Sequence, residues 1–315
     1  MVEVSFLGPL SAFASAFFWS IGSTKYSQLS KSYTPFSINF ARASVAFPLF
    51  TIAAFFSAGG SEGGLGAFSV IKPLHFIYFF VSMTCSYGLG DVLFLLSTRS
   101  LGVPGALAIA SSYPLWTSVL GIHIKGEPFI PLQIAGVLLA LIGIIVVVLN
   151  APSREQVSSG FSIIKNAVFM KVSTGVVLAA TTSVMWAANS FIVSEIGKDI
   201  PLAVANSGRM FAALVISFVL SKLLIPKASI FLPRRLFTAS LWLFFYEAFL
   251  GSYFFIYGLA KSPLIVGVTI TALAPVLAVP MGWILKTERF SFFRTMGVVC
   301  VVVGVILLMA NGGKT

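Results

Sequence analysis

Long apolar runs, separated by short joints rich in polar residues, glycine and proline, recur ten times along the chain. A helix that crosses a bilayer takes about 20 mostly apolar residues. The runs at 7–26, 34–57, 74–97, 103–122, 131–150, 173–194, 201–225, 236–258, 263–285 and 291–310 meet that requirement. Prolines mark the joints. Pro35, Pro73, Pro104, Pro131, Pro201 and Pro263 fall at or near the start of a run, where the missing N–H removes no helical bond. The longest connections are a glycine-rich stretch around Gly59 to Gly66 and a polar stretch from Pro152 to Lys171. All other joints are short, so any site must be built from the helices themselves.

The pattern also repeats at long range. Displaced by 167 residues, Trp19 falls on Trp186, Ser23 on Ser190, Lys31 on Lys198, Asn39 on Asn206 and Arg42 on Arg209. Displaced by 161, Gly90 falls on Gly251, Phe94 on Phe255, Pro114 on Pro275, Gly121 on Gly282, Lys125 on Lys286 and Glu127 on Glu288. Gly136, Gly143 and Asn150 follow in the same register, on Gly297, Gly304 and Asn311. The longer Gly-rich loop between the second and third runs absorbs the change of register. The predicted fold is therefore all-α and membrane-integral, with ten transmembrane helices as two five-helix repeats: 1–151, a central loop at 152–172, and 173–315. Five is odd, so the second copy enters the membrane upside down. Inverted repeats of this kind are typical of secondary transporters, in which two near-equivalent packings of the halves expose a central site to alternate sides.

Composition agrees with a lipid solvent. Hydrophobic residues make up 58% of the chain and charged residues 9%, with mean hydropathy +1.01, whereas a soluble domain is about a quarter charged. The net charge of +11 does not point to nucleic acid, because the basic residues stand singly between apolar runs and form no stripe with aromatics. They read as anchors to lipid headgroups. Cys85 and Cys300 lie inside apolar runs and read as small core residues. His75 and His123 are too far apart for a metal cluster. The Gly59 loop lacks the Gly-Lys-Ser/Thr of a phosphate cradle, and no nucleophile or nucleotide motif stands out. No enzyme, cofactor or metal is expected. Glu3 and the lack of a basic cluster before the first run favour a retained span over a cleaved signal.

Several of the duplicated residues carry a resemblance. The Pro35-x6-Arg42 element, the proline inside span four (Pro114, Pro275), the Lys-x-Glu turn (Lys125/Glu127, Lys286/Glu288) and the Gly-x6-Gly span (Gly136/Gly143, Gly297/Gly304) resemble the EamA-type members of the drug/metabolite transporter superfamily. The second half departs only in placing Leu202 where the first has Pro35. The resemblance implies a multi-pass carrier in the cell membrane that exports amino acids, drugs or other small metabolites. It implies proton coupling or exchange, and a central cavity walled by both halves. It places Trp19, Tyr87, Tyr113, Trp186, Asn189, Tyr253 and Tyr257 on cavity-lining helices, where aromatic rings suit an apolar or cationic solute. A second expectation is an anion exchanger of sugar phosphates or nucleotide sugars; a third, of another class, is a lipid-handling enzyme or flippase. The partners are a small-molecule substrate and the bilayer, and no feature sets an oligomeric state.

Ionisable groups inside hydrocarbon are costly and need a reason. Arg42 and Arg209 occupy equivalent positions in spans two and seven and read either as a structural pair or as an anion-binding pair, the structural role being favoured. Asp91 and Glu247 lie in the symmetry-related spans three and eight, but each occurs in one half only: Asp91 aligns with Ser252 and Glu247 with Ser86. They are the candidates for proton coupling, Glu247 first, against a plain helix–helix ion pair. Pro114 and Pro275 are expected mid-helix, as hinges or kinks. Apart from the two mid-span arginines, five basic residues lie on the side of the termini and thirteen on the other. The positive-inside rule thus places the central loop in the cytoplasm, whereas the resemblance implies cytoplasmic termini.

Overall fold

A computed structural model describes residues 6–29, 32–57, 64–150, 172–274, 276–277 and 291–309. Thirteen helices order these residues: α1 (Leu7–Leu29), α2 (Pro35–Ser57), α3 (Pro73–Met83), α4 (Leu89–Ala110), α5 (Tyr113–Lys125), α6 (Pro131–Leu149), α7 (Val172–Asp199), α8 (Leu202–Leu224), α9 (Arg234–Ala239), α10 (Leu241–Leu243), α11 (Ser252–Ala260), α12 (Leu264–Thr271) and α13 (Phe292–Met309). No strand occurs among the described residues. The proline joints behave as expected at α2, α3 and α6, which begin on Pro35, Pro73 and Pro131. Pro201 and Pro263 directly precede α8 and α12. Thr34 Oγ1 accepts the Ser37 N–H at 3.0 Å, capping α2.

Among the described residues seven helical segments are long and apolar enough to cross a bilayer, and Leu7–Gly22 is apolar but shorter. Spans four and nine are each broken at the same place in the repeat. Ser111–Ser112 interrupts the first, and Ala272–Leu273, 161 residues later, interrupts the second. Two sequence expectations change here. Helix α4 runs unbroken across the interval 98–102 and through Pro104, so that proline starts no helix. Pro114, expected mid-helix, sits in the first turn of α5, where its missing N–H removes no intrahelical bond. Pro275 lies outside the described residues, as do Lys286 and Glu288.

Helix pairing displays the inversion directly. The main partners are α2 with α8, α6 with α13, α4 with α7, and α1 with α11. The first two are repeat mates packed on each other; the last two are the same contact made from opposite halves. Along α2 and α8, Phe47 meets Phe211 while Thr51 meets Ser207 at 2.8 Å, an antiparallel register. Along α6 and α13 glycines cross in the same sense. A Cβ built on Gly143 would lie 2.5 Å from the Gly297 carbonyl oxygen, and one built on Gly136 would lie 2.6 Å from that of Gly304. Hydrogen at these positions lets the two backbones touch, as small residues do between membrane helices.

Side chains are distributed as lipid demands. Phe56, Phe76, Ile77, Val177, Leu223 and Ile306 are exposed, whereas Asn39, Arg42, Asn206, Arg209 and Glu247 are buried. The bilayer supplies no water to backbone or charge, so polar groups turn inward and find each other.

Candidate functional site

The site forms where the helical hydrogen-bond ladder is locally widened in both halves. Between α3 and α4, residues Thr84–Gly88 form a π-helical turn. Between α10 and α11, Phe244–Gly251 form another, and the repeat offset of 161 places one on the other. Such bulges free backbone groups and re-aim side chains, and they gather at functional sites. The first carries Tyr87 and leads to Asp91; the second carries Glu247.

Arg42 reaches from α2 to the second of these turns. Its Nη2 donates to Glu247 Oε1 at 2.6 Å and its Nε to Glu247 Oε2 at 3.1 Å, a two-pronged, charge-assisted pair. The Tyr26 hydroxyl donates to the same Oε2. Arg42 Nη1 donates to Asn39 Oδ1 at 2.8 Å. The Asn39 amide in turn donates to the Tyr87 carbonyl at 3.0 Å and to Asp91 Oδ2 at 3.3 Å. One chain of bonds therefore joins Glu247, Arg42, Asn39 and Asp91. The guanidinium carbon lies 4.2 Å from the Tyr87 ring centroid, 4.4 Å from Tyr26 and 5.3 Å from Trp19, so ring faces enclose the cation where no further acceptor is present.

The second half repeats the framework and omits the acid. Arg209 Nη1 donates to Asn206 Oδ1 at 3.0 Å, matching Arg42 and Asn39, and Asn206 donates to the Ser252 carbonyl at 3.2 Å. Arg209 Nη2 donates to Asn189 Oδ1 at 3.4 Å. Its Nε is buried and has no hydrogen-bond partner among the described residues. Three mates account for the difference: Ser86 stands for Glu247, Val193 for Tyr26 and Asn189 for Gly22. Gly22 makes the ion pair possible, since a Cβ there would lie 2.5 Å from Glu247 Cγ.

Aromatic candidates divide into two groups. Tyr113 packs edge-on against Trp186 at 6.1 Å between centroids and its hydroxyl lies 3.4 Å from Thr271 Oγ1, next to both helix breaks. Asp91 and Tyr113 are both half-buried. Tyr253 and Tyr257 pair with each other on α11 at 6.4 Å, and no hydrogen bond or ring contact among the described residues joins them to the charged chain.

Several residues of the site were not singled out from sequence. Tyr26 carries no repeat signal, because its mate is Val193. Asn39 and Asn206 do carry one: an Asn three residues before a mid-span Arg, in both halves, places amide and guanidinium on one helix face. Glu127 was noticed only within a duplicated turn. Its Oε1 accepts the Leu264 N–H at 2.5 Å and its Oε2 the Ile265 N–H at 3.4 Å, so it caps α12 across the boundary between halves. Beside it, Lys125 pairs with Glu195 at 2.6 Å. Among the described residues no group of three metal-ligating side chains occurs.

An all-helical bundle of two inverted repeats, with a buried charge network where the halves meet, is the architecture of a polytopic membrane protein. The EamA-like transporter family model matches residues 6–149 and 173–310, both halves in turn, and the chain belongs to that family. No functionally curated protein matches its sequence. Among 22 solved chains that match, one described only as "Crystal structure of protein" superposes with a TM-score of 0.74 at 18% identity, covering 96% of this chain and 98% of the other. At that identity the likeness concerns the fold.

Proposed function

We propose that the protein is a secondary active transporter that exports small metabolites, amino acids or drug-like compounds among them, by alternating access with proton coupling. The observation that carries this reading is the duplicated Arg–Asn framework bridged by an acid in one copy only. Symmetry lets the two halves exchange packings; the single acid makes one step sensitive to charge. With Arg42, Glu247 and Asp91 all ionised this cluster holds one net negative charge, and one proton neutralises it. A neutral cluster is moved through a low-dielectric interior at lower cost than a charged one. Asp91 is the half-buried acid at the end of the chain of bonds, and Glu247 is the acid that ties α2 to the opposite half. Uptake of a mixed amino-acid and metabolite pool into proteoliposomes, with and without a pH gradient, tests this. Gradient-stimulated flux is expected, surviving but uncoupled from pH in Asp91→Asn or Glu247→Gln. Coupling unchanged in both variants would sink the proton role.

Alternation also requires a gate. On the side of the termini, Glu127 and Lys125 of the first half hold α12 and α7 of the second. Their repeat mates Lys286 and Glu288 lie outside the described residues; in the sequence Glu195 is matched by Gln28, and Ile265 by Pro104, which has no N–H to give. Opening on the termini side means breaking charge-assisted bonds. Glu127→Gln is expected to raise labelling of a cysteine placed at Ser262 by an impermeant maleimide about tenfold, in line with the loss of one such bond. An unchanged labelling rate would remove Glu127 from the gate.

Exchange of anionic solutes such as sugar phosphates is the second reading, favoured by the cation of Arg209, which no acid among the described residues pairs with. Flux seen only against a preloaded internal solute would select it.

A further inference from the structure

The two arginines give an internal comparison. In both, Nη1 is held by an asparagine three residues earlier, at 2.8 Å for Arg42 and 3.0 Å for Arg209. In Arg42 the remaining edge, Nε with Nη2, grips the two oxygens of a carboxylate. In Arg209 the same edge holds one long bond to Asn189 and leaves Nε buried without a partner among the described residues. Arg209 makes no ion pair among the described residues, and its residual exposure is 3%. A guanidinium kept charged and desolvated with only neutral amides is costly unless a further anion joins it.

Resting on the transport reading, we propose that the Nε/Nη2 edge of Arg209 is the substrate's anion subsite, and that it takes a carboxylate in the two-pronged geometry that Glu247 adopts on Arg42. Asn189 supplies a side-chain amide beside it that donates to the bound oxyanion once its own oxygen is displaced from Nη2. Glu247 is then the built-in model of the ligand: the first half carries its carboxylate in the chain, and the second half receives one from solution. The residues that leave this edge without a carboxylate are Ser86 and Asn189, where the first half's counterparts are Glu247 and Gly22.

Thermal midpoints in detergent test the site without knowledge of the natural solute. Acetate and benzoate are compared with acetamide, benzamide, inorganic phosphate and chloride, ionic solutes at equal ionic strength. The carboxylates are expected to raise the midpoint, and their apparent affinity to fall about tenfold to a hundredfold in Arg209→Gln, the range for one charge-assisted contact. Amides are expected to have no effect. Independently, Ser86→Glu combined with Asn189→Gly recreates the first half's ion pair. That variant is expected to have a raised midpoint and no response to acetate. No protection of the wild type by either carboxylate, equal protection by the amides, or undiminished protection in Arg209→Gln overturns the proposal. Stronger protection by phosphate replaces the carboxylate with a phosphoryl group and overturns the class. The double variant serves as a second reading when it folds; an unchanged midpoint with acetate response retained also overturns it. Carboxylate binding without flux in proteoliposomes removes the transport reading and keeps the site, whereas flux indifferent to Arg209→Gln does the reverse.

Discussion

Glu247→Ala is expected to destabilise the protein by about 3–5 kcal/mol, the usual consequence of removing one partner from a buried ion pair. The loss arises less from the attraction given up than from what remains. Arg42 is 2% exposed, sits among the rings of Trp19, Tyr26 and Tyr87, and would keep its charge with Asn39 and the more distant Asp91 as its polar surroundings. Tyr26 would lose its acceptor as well. Arg42→Met combined with Glu247→Met is expected to recover more than half of the deficit, because two apolar side chains leave no charge uncompensated. Unfolding in mixed micelles, with the two single variants and the double compared in one cycle, measures this. A double variant no more stable than the worse single would show that the pair is not the coupled unit described here.

Gly143→Leu is expected to destabilise by about 1–3 kcal/mol or somewhat more, as overpacking in a close-packed seam does. A Cβ at this position would meet the Gly297 carbonyl at 2.5 Å, Val301 Cγ2 at 2.6 Å and the Val301 amide nitrogen at 2.8 Å. Two of those atoms belong to the backbone of α13, so rotamer changes alone do not relieve the contact and the helices must separate. Leu138, on the exposed side of the same helix, is the matched control: Leu138→Ala is expected to change the midpoint little, since the side chain there meets lipid. Equal midpoints for Gly143→Leu and wild type would mean that α6 and α13 do not pack through their glycines.

Much of the architecture was legible in the sequence. Bilayer thickness sets run length, so the ten spans could be counted from hydropathy; and a duplication with an odd number of spans is inverted by arithmetic alone. The glycines at 136, 143, 297 and 304 were visible as a pattern, and the mid-span Arg42, Asp91, Arg209 and Glu247 stood out because charge in hydrocarbon needs a reason. Two local readings went otherwise. Pro104 reads as a helix start and is inside α4, while Pro114 reads as a mid-helix kink and opens α5. A proline announces that one N–H is missing, but whether the helix tolerates the gap or breaks there depends on what neighbouring helices offer the freed carbonyls.

The partners of the charges were decided only in three dimensions. Glu247 and Arg42 are separated by 205 residues, and no periodicity within one helix connects them. Their meeting depends on a π-helical turn that rotates Glu247 inward, on Gly22 leaving room for its side chain, and on Tyr26 arriving from a third helix. The same holds for Glu127, whose role as a cap exists only once α12 is brought beside the α5–α6 turn. Composition and periodicity determined the solvent, the spans and the symmetry of this protein, because those follow from burial along each helix separately. The difference between its two arginines, one filled and one open, is a property of the packed halves, because electrostatic compensation is settled by distance in space and not by distance along the chain.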